Sequence, residues 1–200
     1  KDAGFIRLRR TRAGMTDFEK SLYYTQFYKS SCIAIKIMAK PSLSYDIFES
    51  RVGLLYLIFS RKSLAGISFK KPARIAFKKG AAPKNFIKEL ENFFRGDDKG
   101  FSQRIEFLKG TDFEKKIWSC LKDIPFGETR TYKWIAEKIG NPSATRAVGR
   151  ALSKNPVPIV LPCHRTIESD GSIGGYSSGV KIKRRLLEME YYSEANKKQS

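Results

Sequence analysis

The chain has 200 residues, with 39 Lys+Arg against 20 Asp+Glu, a formal net charge of +19 and 41% apolar residues. That length and apolar share exclude an intrinsically disordered chain and suit one large domain or two small ones, while no apolar run is long enough to span a bilayer. So positive a field selects a polyanionic partner, with nucleic acid first and membrane phosphates as the rival.

The opening stretch "KDAGFIRLRRTRAG" has charges but no apolar run behind them, so it does not read as a secretory signal. Cys32, Cys120 and Cys163 are scattered, with no C-x-x-C pair, and His164 is the single histidine. Such usage gives no disulfide framework and predicts no metal site. A reducing compartment is expected, cytosol or nucleus.

Strand patterns dominate the first half. Ile33, Ile35 and Ile37 alternate with Ala34 and Lys36, and the runs 54–59 and 64–69 are spaced as a hairpin. Phe86, Ile87, Leu90, Phe93 and Phe94 then follow helical spacing after Pro83, and Gly96 ends the helix. The polar, Gly-bounded "RGDDKG" at 95–100 is the best linker, which predicts domains at 1–105 and 106–200.

The pentapeptide "TDFEK" occurs at 16–20 and 111–115. Each copy is a Thr-x-x-Glu capping box, read as two independent helix starts. After the second copy, Phe113, Ile117, Trp118, Leu121 and Ile124 make one apolar face, closed by Pro125 and Gly127. Tyr132, Ile135, Ala136 and Ile139 make a second face, stopped at Gly140. Asn141-Pro142-Ser143 turns the chain into a third, with Ala144, Ala147, Val148, Ala151 and Leu152, which ends at Asn155-Pro156. Two short helices joined this way read as a helix-turn-helix. Arg146, Arg150 and Lys154 stand among small residues, Gly149 included, that let a backbone approach DNA. An ordinary helix pair satisfies the same pattern.

Residues 156–162, "PVPIVLP", carry three prolines and predict extended chain outside a central strand. Cys163 and His164 follow. A thiol becomes a nucleophile on losing its proton, and a nearby imidazole lowers its pKa from about 8.5. A lone cysteine also serves as a buried apolar residue, and in extended chain neighbouring side chains point apart, so contact requires a turn or a bridging water. In "VKIKRRLLEME", Ile182, Leu186 and Glu190 share one stripe. A carboxylate there either lies in water at a frayed end or accepts the Nδ1–H of His164 and fixes its tautomer.

"IPFGETRTY", "GNPSATRAVGRALSKNPVPIVLPCHR" and "GGYSSGVKIKRRLLEME", running nearly without gaps from about residue 111 to 190, resemble the O6-alkylguanine-DNA alkyltransferases. The first half is similar only in general pattern. The resemblance implies an α+β fold: a ribonuclease-H-like small antiparallel sheet with helices, then a mainly helical winged-helix domain that docks in the minor groove of duplex DNA. It also implies that Cys163 accepts the alkyl group, with His164 and Glu190 drawing its proton away through a water. By the same resemblance Tyr132 donates to N3 of the leaving guanine, Arg146 enters the base stack, and Asn155 braces the active-site turn. Tyr176 and Ser177 close the base pocket, and the carbonyls of Cys163 and Thr166 receive the exocyclic amine. Arg150, Ala144, Ala147 and Gly149 belong to the DNA-facing helix. Each molecule acts once, as a monomer without cofactor, since a thioether has no good leaving group.

Two other readings use the same residues. A thiol hydrolase would use Cys163, His164 and Glu190, and needs an oxyanion hole that no segment identifies. A DNA-binding module would keep Cys163 as a structural residue.

Overall fold

The computed structural model describes residues 42–72, 78–97 and 99–198. The expected strand at 33–37, the first "TDFEK" and Cys32 lie outside these residues, and residues 42–200 fall in a single compact unit.

A meander of three antiparallel strands opens it: β1 (Leu43–Ser50), β2 (Gly53–Ser60) and β3 (Ser63–Ser68). The expected hairpin is β2–β3, with Leu57 opposite Ile67 and Arg61 at φ 55° in the tight turn. A two-residue β4 (Lys78–Lys79) runs parallel to β1, so the sheet, ordered β3-β2-β1-β4, is mixed and not wholly antiparallel. Strand period two turns Leu55, Leu57 and Phe59 inward.

Helix α1 (Lys84–Arg95) covers that face. It begins after Pro83, as the sequence predicts, and stops at Gly96, whose φ of 86° lets its N–H reach the Asn92 and Phe93 carbonyls. Phe86 and Phe94 pack onto Phe59 and Phe48, each pair with ring centroids 6.0 Å apart.

The free edge of β3 is not left open. Leu64 N–H donates to the Arg104 carbonyl (2.8 Å) and Ile67 N–H to the Pro156 carbonyl (2.8 Å). Covering an edge removes a site for aberrant pairing; here it also joins the sheet to the turn that carries the cysteine.

Helix α2 (Asp112–Cys120) has the capping box expected of Thr111 and Glu114. After α2 come β5 (Arg130–Thr131), α3 (Tyr132–Lys138), α4 (Thr145–Ser153), β6 (Thr166–Ile167) and α5 (Val180–Lys197). A 3-10 turn, Pro142–Ala144, leads from the α3 exit at Gly140 into α4. Trp118 Nε1–H donates to the Ala151 carbonyl (2.8 Å) and fastens α2 to α4. β5 and β6 pair in parallel, bringing the start of α3 beside the segment that follows the cysteine. The class is α+β. No helix among the described residues is long and apolar enough to cross a membrane.

Candidate active site

Residues 156–162 are not extended as expected. Leu161 N–H bonds back to the Val157 carbonyl (2.9 Å), and Ile159 adopts a left-handed φ of 76°. The prolines do keep this chain out of a sheet, but their fixed φ suits a turn equally well. A β-branched residue at positive φ is strained and must be held by its surroundings. Asn155 does the holding: its Oδ1 accepts from Val157 N–H (3.0 Å), while its Nδ2 donates to the Leu161 carbonyl (2.7 Å) and to Cys163 Sγ (3.1 Å).

Cys163 opens a 3-10 turn, Cys163–Arg165, so successive side chains do not alternate as they would in a strand. All three residues are buried. Burial pushes the Cys163 thiol up, more than Asn155, Tyr176 and Lys183 draw it down. At rest the sulfur therefore keeps its proton at neutral pH, where a neighbouring imidazole alone predicts a lowered value.

The imidazole contacts the acid through the other nitrogen from the one expected. His164 Nε2, not Nδ1, lies 2.7 Å from Glu190 Oε1. Glu190 is no frayed end, for α5 continues seven residues beyond it to Lys197 and the carboxylate is 1% exposed. Arg165 Nε donates to both of its oxygens (3.1 and 2.8 Å), and Gly127 N–H donates to Oε2 (3.0 Å). Burial works to raise the Glu190 carboxyl, but His164 and Arg165 outweigh it and hold it below its ordinary value. Burial also lowers the imidazole, against the pull of Glu190. Glu190 is thus ionised and accepts only, so Nε2 carries the proton of a neutral ring. The Nδ1 lone pair is left basic, and that atom is buried with no hydrogen-bond partner among the described residues.

The sequence misses part of this cluster. Arg165 also donates to the Ile124 carbonyl (2.8 Å) and stacks on Phe126. The buried stripe of α5 is Lys183, Leu186 and Glu190, with Ile182 only partly covered. Lys183 Nζ donates to the Thr166 carbonyl (2.5 Å) and reaches the Gly175 carbonyl (3.4 Å), pinning the loop 168–179 to β6. Its position three residues before Leu186 and seven before Glu190 was the available signal. Its charge masks that signal.

The remaining candidates line the approach. Tyr132 heads α3, its ring against Gly149, where a β-carbon would meet it at 3.8 Å. Burial and then Glu168 raise the Tyr132 phenol. The Tyr176 hydroxyl is buried and acts on the Cys163 sulfur, and Ser177 is exposed beside it. Arg146 and Arg150 are exposed on α4, with Ala144 and Ala147 partly covered. Lys154, exposed just past the end of α4, also pairs its Nζ with Glu114 Oε1 at 2.6 Å. Among the described residues no cluster of His, Cys, Asp and Glu is arranged to hold a metal ion.

The fold and this cluster define a class: an α+β protein whose buried cysteine, assisted by a histidine–glutamate pair, sits beside a helix pair bearing exposed arginines. Residues 112–192 match the family described as 6-O-methylguanine DNA methyltransferase, DNA binding domain. The methylated-DNA–protein-cysteine methyltransferase of Methanosarcina acetivorans is 41% identical over 73% of this chain and 97% of its own length. That of Methanosarcina barkeri is 45% identical over 73% and 96%. The crystal structure of Mycobacterium tuberculosis O6-methylguanine methyltransferase superposes with a TM-score of 0.70 at 35% identity, covering 76% of this chain and 94% of that one. A structure of Mycobacterium tuberculosis OGT in complex with DNA gives 0.70 at 36%, covering 75% and 94%. The chain belongs to the methylated-DNA–protein-cysteine methyltransferase family.

Proposed function

We propose that the protein repairs DNA by moving the alkyl group of O6-alkylguanine in a duplex onto its own Cys163, once per molecule. The observation that carries this is the buried thiol within one 3-10 turn of an imidazole whose Nε2 is committed to Glu190 and whose Nδ1 is free to take a proton. Family membership and the DNA complex of a relative support the substrate class.

The base leaves the stack, because the reacting carbon is out of reach inside it. Arg146 on α4 fills the gap, with Arg150 on phosphate and Ala144, Ala147 and Gly149 allowing close approach. Tyr176 and Ser177 close over the base, while the carbonyls of Cys163 and Thr166 face its exocyclic amine. The thiol proton passes to His164 Nδ1, by way of a water. The sulfur then forms a bond to the alkyl carbon as the bond from carbon to O6 breaks. Tyr132 supplies a proton to N3, so that the departing guanine does not carry negative charge. The thioether that remains has no leaving group and nothing to restore it.

The described residues up to 105 serve as the ribonuclease-H-like scaffold and those from 106 onward as the winged-helix acceptor half, docked in the minor groove. The protein works as a monomer in the cytoplasm, or the nucleus of a eukaryote, without cofactor or metal. The sparse, scattered cysteines of the sequence support a reducing compartment, and a reaction complete in protein and substrate atoms needs no cofactor.

Intact mass after exposure to an O6-methylguanine duplex is the test. One methyl group gained on Cys163 and no turnover is the expected result, with none gained by Cys163→Ala, which still binds the duplex. Unchanged mass would leave only a DNA-binding module, and repeated product release would mean a hydrolase.

A further inference from the structure

One carboxylate at the mouth of this site has no part in the reaction above. Glu168 directly follows β6 and opens the turn into the loop 168–179. Its N–H donates to the Ser172 carbonyl (3.0 Å), and its carbonyl accepts from Gly171 N–H (3.1 Å). The backbone is therefore fixed while the side chain stays exposed. Among the described residues no hydrogen bond or ion pair engages the carboxylate.

Its neighbours are specific. A β-carbon placed on Gly174 would stand 2.9 Å from Glu168 Oε1 and 3.4 Å from the Tyr132 hydroxyl. Carboxylate and phenol therefore both border that glycine, whose φ of 65° and missing side chain leave the space beside them open. In a chain of net charge +19 suited to a polyanion, a carboxylate here works against phosphate. It also raises the Tyr132 phenol, after burial, and so helps to keep that group a donor.

An ionised carboxylate only accepts hydrogen bonds, whereas a phenol donates. A donor beside an acceptor is the complement of an acceptor beside a donor. On the minor-groove edge of the bases, guanine alone offers that pair, N3 next to the 2-amino group; adenine and thymine show acceptors only. The Thr166 carbonyl, one acceptor assigned to the same amine, already receives Lys183 Nζ at 2.5 Å.

We propose that Glu168 shares with the Thr166 carbonyl one of the two N–H groups of the 2-amino group of the everted base, beside Tyr132 at N3, and so makes the site selective for guanine. This rests on the alkyl-transfer reading above. No bond is made or broken at Glu168; it touches the base and reads it.

The experiment compares single-turnover transfer from duplexes carrying O6-methylguanine or O6-methylhypoxanthine, which differ only in the 2-amino group. Wild type favours O6-methylguanine. In Glu168→Ala that preference shrinks about tenfold, as loss of a hydrogen bond to a charged group predicts, through slower reaction of O6-methylguanine alone. Glu168→Gln keeps an acceptor oxygen and retains part of the preference. An unchanged ratio in Glu168→Ala, with transfer intact, overturns the role of Glu168 and leaves the repair reading standing. Transfer from neither duplex by wild type overturns the repair reading and this one with it.

Discussion

His164 Nε2 and Glu190 Oε1 stand 2.7 Å apart, and both side chains are withdrawn from solvent. The contact spans 26 residues and ties α5 to the turn that presents the cysteine. It fixes the tautomer of the ring and leaves Nδ1 as its base. The same carboxylate balances Arg165 and receives Gly127 N–H, so a single side chain serves both the chemistry and the packing beneath it.

Glu190→Gln separates these duties. The amide no longer balances the buried Arg165, and the loss of stability is about 3–5 kcal/mol, the range for breaking a buried pair. With no anion to support an imidazolium, the Cys163 thiol titrates higher and transfer slows. Thermal unfolding and a pH titration of thiol alkylation measure the two effects. An unmoved thiol titration would remove Glu190 from the relay.

The pH dependence has a definite sign. The imidazole of folded His164 lies below its ordinary 6.5, so the unfolded chain binds more protons beneath that value and stability falls as pH drops through this window. Glu190, also lowered in the fold, adds loss of the same sign from its ordinary 4.5 downward. Cys163 is raised above 9.0, so its contribution is present below that pH and is lost as pH climbs past it. Transfer should be level across neutral pH and decline on the acid side as Nδ1 takes a proton. Single-turnover rates from about pH 5 to 9 test this, since a bell or plateau reports the groups that titrate. An acid limb centred above 6.5 would contradict the buried, neutral imidazole.

Asn155→Ala removes the bonds to Cys163, Leu161 and Val157 together. The strained turn at Ile159 loses its brace, which costs about 1–3 kcal/mol for buried groups left unsatisfied. Transfer should fall further than stability alone explains, because the N–H aimed at the sulfur stabilises its anion. Chemical denaturation alongside single-turnover kinetics separates these contributions. Normal kinetics in a less stable protein would confine Asn155 to a structural role.

Arg146→Ala touches neither the thiol nor the core, since the side chain is exposed on α4. Capture of a damaged duplex should weaken by about 1–3 kcal/mol, as loss of one arginine contact to nucleic acid does. Transfer from free O6-benzylguanine, if that small molecule reacts with wild type, should be unaffected. Equal loss on both substrates would exclude a role in holding the base out.

What the sequence determined was local and periodic. Spacing and end signals placed the β2–β3 hairpin, α1 with its Gly96 stop, the Thr111 capping box, and the short helices that bracket Gly140. Each rests on neighbours within a few residues. The strand β1 escaped notice because "LSYDIFES" mixes polar and apolar residues on a half-exposed ribbon. Adjacent Cys163 and His164, and an acid on an apolar stripe, were enough to nominate the site. Tertiary structure decided the rest: which ring nitrogen meets Glu190, that Arg165 and Lys183 are buried partners, and that Lys154 pairs with Glu114. It also decided that the resting thiol keeps its proton. These depend on burial and on contacts between residues far apart in the chain, where desolvation and the positions of opposite charges set both pKa and pairing, and no local pattern carries that information.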